Sequence, residues 1–231
     1  MIGFLDTGID YPKSGNFNIW IKPLESQASG IRRSKAAAPP ESFDYGSHYT
    51  PDMINEALAS EDPYSLVPSV DNNGHGTFLA SIAAGSGDPD AQFIGAAPES
   101  VIAVVKLKQA KQYLRDYYFI PNTAPAFQEN DIMLGMRYLN ELANRYDMPL
   151  VICIALGSNM GGHNATLPIT GLLEMYANIA NRAVVIGGRK RSESTAPFLM
   201  ENAENVNDIK KARSPCGRRN GRIYDGTVDG H

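Results

Sequence analysis

The fold is decided by the stretch Glu129 to Leu156, which reads ENDIMLGMRYLNELANRYDMPLVICIAL. In its first part apolar residues recur at helical spacing, which predicts an amphipathic helix over residues 129–146. The residues on this apolar stripe are Ile132, Met136, Leu139 and Ala143. The second part, Leu150 to Leu156, is apolar throughout and has the length of a strand. A helix that leads into a wholly apolar strand is typical of a parallel sheet covered on both faces.

The same alternation continues on both sides of this stretch. Strands are predicted over Ile2 to Leu5, Val101 to Leu107 and Ala183 to Ile186, and helices over His75 to Ala84 and Pro168 to Asn181. The sequence therefore predicts an α/β fold with a mostly parallel sheet, in which ligands bind at the carboxyl ends of the strands.

The sequence also gives expectations for the buried face of one helix and for one long segment near the N-terminus. In the helix that begins at His75, one shared apolar face is predicted, formed by Phe78, Leu79, Ile82 and Ala83. Residues 12–52 are rich in Pro, Ser, Gly and charge, and no element is predicted there.

Composition narrows the class of protein. The 231 residues are 43% hydrophobic and 20% charged, which suits one large globular domain, and the formal net charge of -4 gives no reason to expect nucleic acid as a partner. No apolar run is long enough to span a membrane. The two cysteines, Cys153 and Cys216, suggest neither a disulfide framework nor a metal site, and Cys153 is expected to be a buried core thiol. The oligomeric state stays open.

Two short motifs carry the chemistry. Asp6 lies in Gly3-Phe4-Leu5-Asp6-Thr7-Gly8-Ile9-Asp10, and His75 lies in Asn73-Gly74-His75-Gly76-Thr77-Phe78-Leu79-Ala80. A histidine can take a proton from a hydroxyl nucleophile near neutral pH, and a buried carboxylate can orient its ring. Singly, each residue is more typical of a turn or a loop, so the prediction rests on their order and their glycine context.

In that order and context the motifs resemble those of the subtilisin-like serine proteases (subtilases), whose catalytic residues run Asp, His, Ser along the chain. The resemblance implies a three-layer subtilisin-like fold and peptide-bond hydrolysis, with Asp6 and His75 as catalytic residues. The family's serine lies in a Gly-Thr-Ser-Met-Ala-type stretch downstream of the histidine, and no such stretch occurs before His231. The chain is therefore predicted to be an N-terminal fragment, truncated before the catalytic-serine helix and inactive by itself.

Four further stretches resemble one branch of the family, the clostridial spore-germination proteases. They are Tyr45 to Thr50, Asn55 to Leu58, Lys106 to Arg115 and Gln128 to Gly135. This branch includes proteases that cleave a partner protein and pseudoproteases that have lost catalytic residues. The resemblance implies a polypeptide substrate. Because the chain shows no signal peptide, a bacterial cytoplasmic or spore-associated location is expected rather than secretion.

The run Ala155-Leu156-Gly157-Ser158 resembles the subtilase strand that pairs with an extended substrate peptide. It makes Leu156, Gly157 and Ser158 candidates for substrate binding. A core strand that runs into a loop explains the same residues equally well. No cofactor is expected. Subtilases often bind calcium, but the sequence contains no clear acidic cluster for that ion.

The sequence departs from the family after Gly187. There the family has a glycine followed by Asn-Glu, with the Asn donating to the oxyanion, whereas this chain continues Gly188-Arg189-Lys190. Residues 1–188 are therefore interpreted as the N-terminal part of the peptidase domain, and residues 189–231 as an irregular tail. A one-base shift of ordinary codons restores family-like text after Trp20, after Gly188 and in the last eleven residues. The hypothesis is that residues 20–38, 189–198 and 212–231 are out-of-frame translation and lack packed partners.

Two alternatives remain. A non-catalytic pseudoprotease or peptide-binding protein would keep the groove and lack the serine. An aspartic protease is suggested by Asp6-Thr7-Gly8, but those enzymes need two such aspartates and an all-β scaffold.

Resequencing the locus tests the out-of-frame hypothesis. We expect single-base differences near codons 20, 188 and 212, and an open frame that continues past residue 231 to a serine motif. A clean read that confirms the present frame on both strands contradicts the hypothesis.

Overall fold

A computed structural model of the chain describes residues 1–12, 19–23, 39–40, 42–86, 93–157 and 166–187, with the backbone alone for residues 19–23. Five strands in this part of the chain form one sheet, in the order β2-β3-β1-β4-β5, and every neighbouring pair is parallel. The strands are β1 (Ile2–Asp6), β2 (Ile19–Pro23), β3 (Ile102–Lys106), β4 (Leu150–Ile154) and β5 (Arg182–Ile186). The predicted α/β class with a parallel sheet is confirmed.

In the described residues six helices accompany the sheet: α1 (Pro51–Leu58), α2 (Pro63–Leu66), α3 (His75–Ala84), α4 (Gln112–Tyr117), α5 (Glu129–Arg145) and α6 (Pro168–Ala177). The three predicted helices are confirmed: α3 has its predicted bounds, α5 ends one residue earlier than predicted and α6 ends four residues earlier. The short helices α1, α2 and α4 and the strand β2 were not predicted. In α1 the start comes from Thr50, whose hydroxyl accepts a hydrogen bond from Met53 N, and from Pro51 in the first turn. None of the described helices has the length and hydropathy needed to span a membrane.

One face of the sheet packs on α5 and α6. Glycines allow α5 to approach closely, because a Cβ at Gly135 would lie 2.2 Å from Leu5 Cδ2 and one at Gly3 would lie 2.7 Å from Leu139 Cδ1. The core on this side includes Leu5, Ala103, Val105, Ile152, Met136, Leu139, Ile169 and Leu173. The apolar stripe predicted for α5 therefore faces the sheet.

The opposite face packs on α1 and α3. Its core includes Phe4, Ile102, Val104, Ile54, Ala57, Ala80 and Ala84. The predicted apolar face of α3 is confirmed for Leu79 and Ala83, which pack against this core. It is wrong for Phe78, which is 62% exposed, and for Ile82, which is 44% exposed. The helix instead buries its small residues, Gly76, Ala80 and Ala84. Small side chains let the helix axis lie close to β1, which larger residues on the same face would prevent.

Coverage of both faces, as predicted, holds only for part of the sheet. In register, Val151 and Cys153 of β4 lie beside Ala183 and Val185 of β5 on the face that carries α3. No described helix covers this area, and Val151 is 39% exposed and Val185 52% exposed. Cys153, expected to be buried, is only half-buried for the same reason.

Three of the four branch-specific stretches meet around the buried carboxylate of Asp131. The carboxylate of Asp131 at the start of α5 accepts a hydrogen bond from Tyr45 Oη at 2.7 Å and lies 3.0 Å from Lys108 Nζ. The ammonium group of Lys108 also lies 4.4 Å from the centre of the Tyr45 ring. A buried charge needs such partners to be tolerated, which gives these residues a structural reason to occur together.

One part of the out-of-frame hypothesis is wrong, namely that all three segments lack packed partners. Residues 20–23 belong to β2, which pairs in parallel with β3, so this part of the first segment has a packed partner. Residues 24–38, 189–198 and 212–231 lie outside the described residues.

Substitution of Gly76 tests the close approach of α3. A Cβ there would lie 2.2 Å from the carbonyl oxygen of Gly8, so Gly76→Ala forces the helix away from the turn after β1. We expect urea denaturation to show a loss of at least about 2 kcal/mol in the free energy of unfolding. Gly171→Ala in α6 is the matched control, because a Cβ added there would have no atom within 4 Å, and it should stabilise by about 0.5–1 kcal/mol. Equal effects of the two substitutions would contradict this packing.

The open area of β4 and β5 should bind hydrophobic dyes. The double variant Val151→Thr/Val185→Thr keeps side-chain shape and removes apolar surface, so we expect reduced fluorescence of 8-anilinonaphthalene-1-sulfonate at nearly unchanged stability. Leu58→Gln on α1 is the control, because Leu58 is also 39% exposed but belongs to a helix that contacts β2, at the opposite edge of the sheet from β5. Dye binding that responds to Leu58→Gln and not to the valine changes would show that the area is covered.

Candidate active site

Asp6 and His75, predicted from separate motifs, lie in contact at the carboxyl end of β1. The Asp6 side chain is 1% exposed, and its Oδ1 atom is 2.8 Å from His75 Nδ1 and accepts a second hydrogen bond from Thr7 N at 2.7 Å. His75 is the first residue of α3, and its side chain is 42% exposed. The pair therefore joins one buried carboxylate to one ring that reaches the surface.

The contact with Asp6 determines which nitrogen of the His75 ring carries a proton. A carboxylate can only accept hydrogen bonds, so Nδ1 of His75 must carry the proton that it donates to Asp6. In the neutral ring the lone pair is then on Nε2, the nitrogen turned away from Asp6. This arrangement leaves an unprotonated nitrogen, which can act as a base, on the side of the ring away from Asp6.

Three glycines place the two segments next to each other. Gly74, the residue before α3, has φ +84, and Gly8 in the turn after β1 has φ +121, both in the region that glycine adopts without strain. Gly76 leaves no space for a Cβ against that turn. The glycine context of both motifs is therefore a geometric requirement of the Asp6–His75 contact.

Asp71 is the residue of this site that the sequence reasoning missed. Its carboxylate, 9% exposed, accepts five hydrogen bonds from Thr7, Asn73, Gly74 and Thr77. Burial by itself raises the pKa of Asp71, but the hydrogen bonds from Thr77, Gly74 and Thr7 outweigh it and hold that pKa below its ordinary value. The available signal was Asp71-Asn72-Asn73-Gly74 directly before a helix, a run typical of side-chain capping.

The candidate substrate-binding residues lie at the same rim as far as the structure describes them. Phe4 pairs with Cys153, so Asp6 and Ala155 lie at the same level of the sheet, and Leu156 and Gly157 follow directly. Leu156 is half-buried and Gly157 is exposed. Ser158 lies outside the described residues.

Burial raises the pKa of the Cys153 thiol, and the negative charge of Asp6 raises it further.

Metal binding finds no support among the residues that the structure describes. In that part of the chain, no three His, Cys, Asp or Glu side chains are grouped so that they could hold an ion. The aspartic-protease alternative does not fit either, because the described strands are parallel within an α/β fold and Asp6 pairs with a histidine rather than with a second aspartate.

Comparison with solved structures places these features among known proteins. The chain is similar to the CspB protease of Clostridium perfringens, with 32% sequence identity, a TM-score of 0.63, and coverage of 80% of this chain and 35% of that chain. A psychrophilic protease, S41, and sphericase each match at 17% identity, with TM-scores of 0.46 and 0.45 over 82% and 85% of this chain and 46% and 49% of theirs. This chain thus spans half or less of the length of each of these proteins. No match was found among curated proteins.

Comparison with family profiles matches residues 1–194 to the Subtilase family, peptidase S8. The match covers most of the chain and includes both motifs, the glycines around them and all five strands. The chain belongs to the subtilase family of serine-type peptidases.

Proposed function

We propose that this chain carries the acid–base half of a subtilase active site, with His75 as general base and Asp6 as the residue that orients it. The observation that supports this proposal is the 2.8 Å contact between His75 Nδ1 and Asp6 Oδ1. The carboxylate is buried and the ring is 42% exposed, as a base needs to be if it is to meet a nucleophile from outside.

The proposed reaction is hydrolysis of a peptide bond in a polypeptide substrate. A serine hydroxyl attacks the scissile carbonyl while Nε2 of His75 takes its proton, and the same nitrogen then returns the proton to the leaving amine. Asp6 holds the ring in one tautomer and stabilises the imidazolium that forms. Water hydrolyses the resulting acyl-enzyme through the same base.

The nucleophile is proposed to come from a part of the protease that this sequence does not represent. No Gly-Thr-Ser-Met-Ala-type motif follows His75 in the 231 residues, and the chain covers only 35% of the CspB protease. In subtilisin itself, loss of the serine costs about 10⁶ in turnover, and loss of an oxyanion donor costs roughly 10²–10³. The chain by itself is therefore proposed to lack measurable activity.

A peptide-binding protein without turnover is the second candidate. It is favoured by the position of Leu156 and Gly157, which follow β4 at the same rim as Asp6 and could pair with an extended peptide. In this case the 231 residues would bind peptides, and the locus would encode no serine downstream.

Covalent labelling with a fluorophosphonate, which reacts with activated serines, separates the two candidates. We expect no labelling of the 231-residue chain, and rapid labelling together with casein hydrolysis for the polypeptide encoded by the resequenced locus. His75→Ala in that polypeptide should lower turnover by about 10⁶ and Asp6→Ala by about 10⁴, the losses known for subtilisin.

His48→Gln is the control for the histidine substitution. His48 contacts the hydroxyl of Tyr138 at 2.8 Å, away from Asp6, so its replacement should leave turnover nearly unchanged. Full labelling that survives His75→Ala would contradict the proposed role of His75. Peptide binding without any labelling of the longer polypeptide would favour the second candidate.

A further inference from the structure

We propose that Asp71 is a positioning residue, whose carboxylate ties the turn after β1 to the start of α3 and thereby sets the contact between Asp6 and His75. This inference rests on the proposed function, since it concerns the same acid–base pair. It adds a residue that touches neither the imidazole nor the reacting atoms.

The two carboxylate oxygens of Asp71 bind different segments. Oδ1 accepts hydrogen bonds from Thr7 Oγ1 at 2.8 Å, from Gly74 N at 2.9 Å and from Asn73 N at 3.1 Å. Oδ2 accepts from Thr77 N at 2.9 Å and from Thr77 Oγ1 at 2.7 Å. One side chain thus holds the residue next to Asp6, the loop before His75 and the first turn of α3.

The two threonine hydroxyls extend this network in opposite directions. Thr7 Oγ1 accepts from Gly76 N at 3.0 Å, and Thr77 Oγ1 accepts from Asp10 N at 2.9 Å. The turn after β1 and the first turn of α3 are therefore joined by two hydrogen bonds, one accepted by a residue of each segment. Gly74 and Gly76 flank His75 in the chain, and both of their amides are bound by this network.

The network requires an ionised acid at position 71. Each threonine hydroxyl accepts from a backbone amide and donates its single proton to Asp71. All five groups that contact Asp71 are donors, so both oxygens must accept. An asparagine would direct its NH₂ group at Thr77 N–H or, in the other orientation, at Gly74 N–H, leaving buried donors without acceptors.

Asp71 also caps the N-terminus of α3, which the residue directly before the helix cannot do. The residue before the helix is Gly74, which has no side chain to accept a hydrogen bond from the first turn. Thr77 N, three residues later, is bound by Asp71 instead. A negative charge here is favourable because the N-terminus of a helix carries partial positive charge. The first residue of that helix is His75.

Nuclear magnetic resonance of the 231-residue chain tests this role, with the His75 Nδ1 proton as the readout and its assignment made from His75→Ala. In Asp71→Asn we expect exchange of this proton with solvent to become at least about tenfold faster, or its signal to disappear, the effect of losing a hydrogen bond to a charged group. Thr7→Val removes the hydroxyl at constant shape and should act in the same direction. Thr7→Ser keeps the hydroxyl and should behave as the unmodified chain.

Asp62→Asn is the matched control, because Asp62 also accepts a backbone hydrogen bond before a helix, from Tyr64 N, and is exposed. It should leave the His75 proton unchanged. If Asp71→Asn fails to fold, the comparison of Thr7→Val with Thr7→Ser decides. An unchanged His75 proton in folded Asp71→Asn or Thr7→Val would overturn the proposal. The readout is the imidazole and not hydrolysis, so this result and the test of the proposed function can fail independently.

Discussion

The structure depends on the close approach of α3 to the turn after β1. The backbone at Gly76 lies so near the carbonyl oxygen of Gly8 that a Cβ would be 2.2 Å from it. Only this approach brings His75, at the first position of the helix, within 2.8 Å of Asp6, at the last position of the strand. Three features favour this short distance between the helix and the turn. They are the small residues on the buried face of α3, the positive φ angles at Gly8 and Gly74, and the hydrogen bonds to Asp71.

Much of this arrangement could be predicted from the sequence because it depends on local pattern. Apolar runs of strand length and the stripe on α5 predict parallel strands and a covering helix, and the carboxyl ends of parallel strands meet at one edge of the sheet. Asp6 and His75 could be paired because each lies at the end or start of such an element. The resemblance to subtilases contributed the order of the two residues and their roles.

What could not be predicted depends on contacts between distant segments. The buried face of α3 follows from the distance between helix and sheet, which favours Ala80 and Ala84 over the larger Phe78 and Ile82. Asp71 was missed because its partners Thr7 and Thr77 are brought to it by the fold. The short helices α1 and α4 and the strand β2 lie in segments with weak periodicity, where single caps and tertiary contacts decide.

In the described residues, part of the sheet face that carries α3 is uncovered on β4 and β5. The face that carries α3 is complete over β3 and β1, but Val151 and Val185 remain exposed. The chain covers 35% of the CspB protease. Asp6 and His75 are in contact beside this open sheet face. Under the proposed function, the acid–base pair would therefore take its geometry without the nucleophile.

The tautomer of His75 in the unmodified chain tests this claim most directly. Nitrogen-15 chemical shifts of the ring, measured at a pH where the imidazole is neutral, distinguish a proton on Nδ1 from one on Nε2. A proton on Nδ1 and a lone pair on Nε2 is the result that the Asp6 contact predicts. A proton on Nε2, or rapid averaging between the two nitrogens, would show that Asp6 and His75 are not paired in this chain.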